Sequence, residues 1–151
     1  MIPYHVLESE QWVPRPLEEV FEFFSNARNL ELLTPPWVKF RVLTMPIAME
    51  AGARIRYKIG WHGLPMRWTT EITEWNPPDG FRDLQLSGPY KLWDHTHRFG
   101  AVDGGTLLHD LVKYSLPLGF LGRIAHSLWV KKDVERIFSY RRERIREMFG
   151  G

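Results

Sequence analysis

The sequence predicts an α+β fold in which a curved, seven-stranded antiparallel sheet wraps around a long C-terminal helix, with two short helices between strands 1 and 2. Three observations predict this fold. Residues 120–149 repeat apolar side chains at helical spacing, residues 37–116 alternate polar and apolar side chains in short runs, and residues 17–33 insert a brief helical pattern after the first run. One long helix after several strands is typical of an antiparallel sheet packed against that helix.

The N-terminal part predicts one strand and two short helices. Residues 4–13 alternate imperfectly and stop at Pro14. Pro16 suits the first turn of a helix, because its missing N–H has no partner there anyway. The apolar face of that helix comprises Leu17, Val20, Phe21 and Phe24. Asn26 offers a cap for the second helix, which residues 34–36 (Thr-Pro-Pro) end.

Alternation and turn residues predict the remaining strands. The clearest alternation places Ile55, Tyr57 and Ile59 on one face, with cations between them. Residues 76–80 (Asn-Pro-Pro-Asp-Gly) form the strongest turn signal. The predicted strands after the helical insertion are residues 37–45, 53–60, 66–75, 81–86, 90–101 and 106–116.

Residues 120–149 predict one amphipathic helix that closes the fold. Its buried face is expected to comprise Leu121, Ile124, Leu128, Val134, Ile137, Phe138, Ile145 and Met148. The rest of the helix carries eight Lys or Arg residues against four Asp or Glu, while the whole chain has a net charge of only +2. A basic helix can contact anionic lipid or nucleic acid, although a solvated outer face is the commoner explanation.

The composition is that of a globular chain rich in aromatic residues. Of 151 residues, 44% are hydrophobic, and there are 7 Trp, 9 Phe and 5 Tyr. We expect one domain over residues 1–151, because no linker or repeat divides the chain. The absence of cysteine excludes disulfides, thiolate metal ligands and a cysteine nucleophile. No run is long and apolar enough to cross a bilayer and no signal sequence is evident, so a cytoplasmic protein without integral membrane association is predicted.

The order of these elements, together with several local strings, resembles the START-like, or SRPBCC, superfamily of helix-grip proteins. The matching strings are residues 13–21 (VPRPLEEVF), 75–78 (WNPP) and 88–99 (GPYKLWDHTHRF). The last string, with residues 29–30 (Asn-Leu) and 34–37 (Thr-Pro-Pro-Trp), is similar to a bacterial subgroup described only as ligand-binding. The resemblance covers essentially the whole chain.

This resemblance implies a cavity between the sheet and the long helix. Relatives bind small hydrophobic or amphipathic molecules there, so a lipid, quinone, isoprenoid or polyketide-like compound is expected as the ligand of this protein. The superfamily includes polyketide cyclases, aromatases, coenzyme Q-binding proteins, lipid-transfer domains and plant pollen allergens. The scaffold therefore carries both enzymes and binding proteins, and function depends on the residues of the site.

Polar side chains alternate along three neighbouring predicted strands, so those of one strand share a face. The polar candidates are Asp83, Gln85, His95, His97, Asp110 and Tyr114. If the strand register brings these faces together, Asp83 or Gln85 lies opposite His95 or His97. A buried aspartate beside a histidine would favour the imidazolium and hold one tautomer. His95 or His97 with Asp83 or Asp110 would then form a catalytic acid/base pair.

Less specific interpretations of these residues remain open. His95 and His97 can equally face solvent, or lie in the core bonded to backbone carbonyls. Two histidines two residues apart with a carboxylate could bind zinc, but a convincing third ligand is missing, so neither a metal nor a cofactor is predicted. The predicted ligand-binding residues are Trp68, Asp83, Gln85, Trp93, His95, His97, Asp110, Tyr114 and Leu128.

The aromatic residues suggest either a cavity wall or a filled core. The candidates for that wall are Trp37, Tyr57, Trp61, Trp68 and Trp129. The loop at residues 60–65, which contains one of them, is either the mouth of the cavity or a plain hairpin tip. Composition does not separate these alternatives, because large rings serve both roles.

Three functions follow from these observations, in order of preference. The first is a carrier or sensor of a small hydrophobic molecule. The second is a cyclase, aromatase or hydrolase, although motifs of the common hydrolases, nucleotide-binding proteins and zinc proteases are absent. The third is an interaction module whose basic helix docks on a partner or makes transient contact with an anionic membrane. No nucleic-acid binding is predicted, and both a monomer and a homodimer remain open.

Overall fold

The computed structural model describes residues 3–46, 48–61 and 63–151, so His62 of the 60–65 loop lies outside the described residues. The strands are β1 (His5–Val13), β2 (Arg41–Thr44), β3 (Arg54–Trp61), β4 (Leu64–Asn76), β5 (Gly80–Ser87), β6 (Leu92–Val102) and β7 (Gly105–Ser115). The helices are α1 (Leu17–Phe24), α2 (Leu30–Leu33), α3 (Phe120–Ala125) and α4 (Lys131–Phe149). Short 3₁₀ turns at Ala27–Asn29 and Pro36–Val38 flank α2.

The seven strands form one antiparallel sheet in the order β1-β7-β6-β5-β4-β3-β2. Strands β2 to β7 are each paired with their neighbours in the chain, and β1 returns beside β7. A π-helical turn, His126–Val130, joins α3 to α4, so one continuous helix runs from Phe120 to Phe149 as predicted. The predicted fold class is confirmed. None of the helices in the described ranges is both long and apolar enough to cross a membrane.

Aromatic rings dominate the larger core, which lies between α1 and the sheet. Phe21 of α1 meets Phe99 of β6 edge-on, with ring centroids 5.5 Å apart, and lies 5.3 Å from Trp75 of β4. A second apolar cluster lies between β7 and the long helix, around Val112 and Val134. The apolar faces of the strands and of the helices thus pack together in two clusters on the same side of the sheet.

The prediction of a strand over residues 37–45 is wrong for its first half. Pro36–Val38 form a 3₁₀ turn, and Lys39 adopts a left-handed backbone conformation with φ of 51°. A residue with positive φ interrupts an extended chain. Strand pairing therefore begins only at Arg41.

The prediction of the buried helix face is wrong for its N-terminal part. Leu121, Ile124 and Leu128 are exposed. The inward positions of that segment are instead Gly122, His126 and Val130. The His126 ring stacks on His5 with centroids 3.4 Å apart, and its Nε2 lies 2.8 Å from the Tyr114 hydroxyl. These contacts fix which side of the segment points toward the sheet. The π-helical turn then changes the direction in which the following side chains point, so that Val134 and Ile145 of α4 are buried.

Gly105 at the start of β7 provides a test of the packing between β1 and β7. A Cβ atom there would overlap the Val13 carbonyl oxygen and the Trp12 indole. We expect Gly105→Ala to lower the free energy of unfolding by about 1–3 kcal/mol, because backbone atoms must shift to make room. Urea denaturation measures this loss. Gly100→Ala in β6 is the matched control, since a Cβ there meets nothing within 4 Å; equal losses in both variants would contradict the packing argument.

Candidate functional site

The register of the three central strands assembles a polar group on the face covered by the helix. Asp83 of β5 lies opposite His95 of β6, and His97 of β6 lies opposite Asp110 of β7. Both histidines are 5% exposed. The structure therefore brings together four of the residues that the sequence marked as candidates, on the inner face rather than in solvent.

Each histidine is bonded to one aspartate, in diagonal rather than directly opposite pairs. His97 Nε2 lies 2.6 Å from Asp83 Oδ2, and His95 Nε2 lies 2.7 Å from Asp110 Oδ1. The two imidazole rings stack with centroids 3.6 Å apart and an angle of 24° between their planes. His97 Nδ1 faces Asp110 Oδ1 at 3.5 Å without a hydrogen bond. The four side chains thus form one continuous network.

Arg141 of α4 completes this network from the helix, although the sequence did not mark it as a candidate. Its Nη2 lies 3.3 Å from Asp110 Oδ1, and its side chain is only 12% exposed. The guanidinium also lies over the rings of Phe24, at 5.3 Å, and Phe138, at 5.8 Å. One signal could have identified it: Arg141 stands three residues after Phe138 and four before Ile145, at the spacing of the buried face.

The electrostatics of the network hold its carboxyl groups in the charged form. Burial by itself raises the pKa of Asp110, but the Arg141 guanidinium and the hydrogen bond from His95 outweigh it and hold that pKa well below its usual range. The same balance, with His97 as the hydrogen-bond partner, lowers the pKa of Asp83. Both aspartates are therefore carboxylates at neutral pH.

Asp83 and Asp110 favour the imidazolium of His97, as expected, but they do not decide its charge. Burial and the adjacent His95 lower the pKa of His97 to about 4, outweighing the opposite effect of Asp83 and Asp110. Since the Asp83 carboxylate only accepts hydrogen bonds, the neutral His97 must donate from Nε2, which leaves Nδ1 as a lone-pair acceptor. Among the described residues, His97 Nδ1 and Arg141 Nε are buried polar atoms without a hydrogen-bond partner.

A cavity of about 30 Å³ adjoins the network between the sheet and the α1–α2 segment. Two of its lining residues, Asp83 and His97, belong to the network. The others are mainly apolar: Phe24, Ala27, Leu30, Met49, Ile55, Tyr57, Ile72 and Phe81. This volume is enough for a few water molecules but not for a larger ligand.

Several predicted ligand-binding residues lie elsewhere. Gln85 is bonded to the backbone of Tyr90, with its Nε2 donating to the Tyr90 carbonyl at 2.7 Å, so it holds the β5–β6 connection. The Tyr114 hydroxyl is paired with His126. Trp68 and Trp93 pack edge-on against each other, with centroids 5.4 Å apart, outside the lining of the cavity.

The helix and the aromatic wall also differ from the sequence expectation. Leu128 is 54% exposed, because the inward positions of its turn are taken by His126 and Val130, so it lies on the outer face of the helix. Of the predicted aromatic wall, Tyr57 does line the cavity. Trp37, Trp61 and Trp129 are exposed and form neither cavity wall nor core.

Asp83, His95 and His97 form a group that could hold a metal ion, since one ligand atom from each lies within 4.8 Å of the others. In this arrangement His97 is already bonded to Asp83 and His95 to Asp110. A cation would have to displace both hydrogen bonds beside the positive charge of Arg141, which is costly in a buried site. The geometry is that of a hydrogen-bonded network, and the absence of a metal stays a prediction.

A curved antiparallel sheet packed against a long C-terminal helix defines a helix-grip protein of the START-like class. The resemblance implied a cavity between the sheet and that helix, but the described cavity lies between the sheet and the α1–α2 segment, and none of its lining residues belongs to α3 or α4. The chain matches the family described as polyketide cyclase / dehydrase and lipid transport over residues 13–137, and it belongs to that family. The resemblance to the SRPBCC superfamily is therefore confirmed. Family membership supports the binding of hydrophobic ligands in general. A comparison with curated proteins found no match.

Solved structures with the same fold come from several bacteria. CV1439 from Chromobacterium violaceum superposes with a TM-score of 0.75 at 13% identity, covering 97% of this chain and 99% of that one. TTHA0849 from Thermus thermophilus has a TM-score of 0.65 at 24% identity, covering 93% and 97%. The Zhui aromatase/cyclase from Streptomyces sp. R1128 has a TM-score of 0.69 at 15% identity, covering 97% and 96%. At these identities the likeness shows the fold.

Proposed function

We propose that this protein binds a small, uncharged hydrophobic molecule that carries a hydroxyl group, in the cavity between the sheet and the helices. The observation that carries the proposal is the lining of the cavity, which is mainly apolar apart from the carboxylate of Asp83 and the ring of His97. Apolar walls with a few convergent polar groups of shifted pKa are characteristic of ligand sites. The description of the family, which includes lipid transport, agrees with this chemistry.

The charges of the network favour a hydrogen-bond donor over an anion. Asp83 is a carboxylate, and it has acceptor capacity beyond the one bond from His97. A ligand hydroxyl, as in a phenol, a hydroquinone or a sterol-like alcohol, can donate to it. A fatty-acid carboxylate would instead bring a third negative charge next to Asp83 and Asp110, against the single guanidinium that Arg141 adds to the described network.

The cavity must expand to admit such a molecule, because about 30 Å³ has room for only a few water molecules. The wall on the sheet side, with Ile55 and Ile72, is held by strand pairing. The opposite wall includes Met49, in the connection between β2 and β3, and Leu30 of α2, both only half-buried. Methionine side chains adapt readily to irregular spaces. Ligand entry therefore proceeds by displacement of this second wall.

The bound molecule is best identified from protein purified from its own host. Native mass spectrometry would show an added mass, and organic extraction followed by mass spectrometry would identify it. A stoichiometric, neutral, hydroxyl-bearing compound supports the proposal. An anionic lipid at full occupancy would contradict the charge argument above.

Filling the cavity should abolish binding of the extracted compound. Ala27 is buried and lines the cavity, so Ala27→Leu is expected to weaken affinity at least about tenfold, since the added carbons occupy the ligand space. Met49→Ala enlarges the same space and should leave affinity unchanged or higher. Isothermal titration calorimetry measures both, and circular dichroism checks folding. Ala101→Leu, on an exposed position of β6, is the matched control; unchanged affinity in Ala27→Leu would place the ligand elsewhere.

A second candidate function, proton-transfer catalysis of the cyclase or aromatase kind, is favoured by one observation. His97 is neutral at pH 7, bonded to a carboxylate and adjacent to the cavity, which is the arrangement of a general base oriented by an aspartate. Incubation of the extracted compound with the protein distinguishes the two functions. A product that forms with the wild type and not with His97→Gln would establish catalysis, and recovery of unchanged compound would establish binding alone.

A further inference from the structure

The N-terminal part of the long helix exposes a row of large apolar side chains. Six residues in and around α3 have between 48% and 76% of their surface accessible: Leu118, Phe120, Leu121, Ile124, Leu128 and Trp129. We name these six residues the α3 patch. Scattered exposed apolar residues are ordinary, but a concentration of this kind in twelve consecutive positions marks a contact surface.

The tip of the β3–β4 hairpin extends this surface. Trp61 and Leu64 lie at the tip, 42% and 55% exposed. Trp61 Nε1 donates a hydrogen bond to Asp133 Oδ2 at 3.1 Å, which fixes the hairpin tip against the first turn of α4. The hairpin tip and the segment that follows the α3 patch are thus joined at one end of the molecule.

The α3 patch is held outward by the fold. Gly122 lies so close to the Pro117 carbonyl that even a Cβ atom would overlap it. His126 is bonded to Tyr114 and stacked on His5. Because these buried contacts set the rotation of the segment, the apolar side chains are unable to turn into the core without breaking them.

The charges within these two segments are all positive. Residues 116–132 contain Arg123, Lys131 and Lys132 and no Asp or Glu, and residues 55–70 around the hairpin tip contain three cations and likewise no acid. Asp133, which follows the helical segment, accepts the hydrogen bond from Trp61, and Glu71 follows the hairpin segment. A surface groove of about 270 Å³ beside the hairpin is lined by two of the hairpin cations, with a proline and a methionine: Lys58, Arg67, Pro65 and Met66. Apolar side chains are therefore interleaved with cations over this end of the molecule.

We propose that this end of the protein docks on the surface of an anionic lipid bilayer. The apolar and aromatic side chains of the α3 patch enter the boundary between headgroups and acyl chains, and Lys131 and Lys132 meet the acidic headgroups. A second copy of the chain is a poorer occupant, because a two-fold contact would set the same cations against each other. The contact is peripheral, and it does not depend on what the cavity binds.

Vesicle flotation tests the proposal. Purified protein is mixed at low salt with vesicles of phosphatidylcholine alone, or of phosphatidylcholine with phosphatidylglycerol. We expect retention on the anionic vesicles only, with loss of retention as salt is added. Absence of retention at low salt would overturn the proposal.

Two matched pairs of variants make the test specific. Leu121→Ser combined with Leu128→Ser should reduce retention about tenfold or more, whereas Val6→Ser combined with Leu32→Ser, at exposed apolar positions of β1 and α2, should not. Lys131→Glu with Lys132→Glu should likewise abolish retention, in contrast to Arg28→Glu with Arg98→Glu, two exposed cations elsewhere. Equal effects within either pair would contradict a defined docking surface.

Sedimentation velocity distinguishes docking on a membrane from contact with a second copy of the chain. The proposal expects a wild-type monomer without vesicles and no change of mass in the Leu121/Leu128 variant. A wild-type dimer that dissociates in that variant would overturn the proposal and make the α3 patch a subunit interface. Because the substituted side chains are exposed, all variants should melt within a few degrees of the wild type, which separates docking from folding.

Discussion

Replacement of Arg141 by methionine is expected to lower the free energy of unfolding by about 3–5 kcal/mol, the usual cost of leaving one partner of a buried ion pair uncompensated. Arg141 Nη2 lies 3.3 Å from Asp110 Oδ1 and is the cation that α4 contributes to a group with two carboxylates. Methionine keeps most of the packing against Phe24 and Phe138. Chemical denaturation at pH 7 would measure the loss.

The control for this prediction is Arg146→Met on the same helix. Arg146 pairs with Glu143 at 2.6 Å, but both side chains are more than half exposed, so a change of at most about 0.5 kcal/mol is expected. Asp110→Asn combined with Arg141→Met should recover part of the lost stability, because it removes the unpaired charge. If the double variant were as unstable as the sum of both single variants, the charge would not be the cause.

The stability of the protein is expected to fall by about 3 kcal/mol as the pH is lowered from 7 to 4, because of His97. Its pKa is depressed from 6.5 to about 4 in the folded protein. The unfolded chain therefore binds a proton below pH 6.5 that the folded protein does not yet accept. The contribution of His97 to stability is fully present above pH 6.5 and is lost progressively as the pH falls from 6.5 through 4.

Protonation of Asp83 and Asp110 also lowers the stability of the protein, but at a lower pH than that of His97. The pKa values of Asp83 and Asp110 are lowered, so their contribution to stability is present above the pKa of an unfolded aspartate, near 4, and is lost below it.

Urea denaturation from pH 7 to pH 4 in the wild type and in His97→Gln would separate the effect of His97 on stability from that of the aspartates. The variant should be less stable at pH 7 but should show a flatter dependence between pH 6.5 and 4. His109→Gln, at a pair with Glu8 whose side chains are 26% and 59% exposed, is the control and should lower the stability at pH 7 by much less than His97→Gln.

The buried network is costly for stability. It places two carboxylates, two imidazoles and a guanidinium beside an aromatic core, where apolar side chains of similar volume could pack at no electrostatic cost. Within the described part of the chain, Arg141 Nε and His97 Nδ1 have no hydrogen-bond partner, so the protein itself does not satisfy the network completely. Natural proteins depart from the most stable arrangement mainly at functional sites. This agrees with a ligand or substrate that meets the network from the cavity.

The amino-acid sequence alone determined the fold class, the order of the elements and the faces that the side chains of each strand share. Period-two alternation placed His95 and His97 on one face of β6, and the turn residues at 76–80 separated β4 from β5. These features are local, because they depend on steric preferences within a few residues. They are readable in the sequence for that reason.

Tertiary structure decided which of those faces met. The diagonal pairing of His97 with Asp83 and of His95 with Asp110 depends on strand register, which alternation leaves open. Arg141 looks like one more surface cation of a basic helix until the crossing of α4 over the sheet places it against Asp110. The outward rotation of the α3 patch depends on contacts of His126 with residues more than ten positions away. Each of these features is a contact between distant parts of the chain. Local spacing can place Arg141 on the buried face of its helix, but it does not show which residue the side chain meets there.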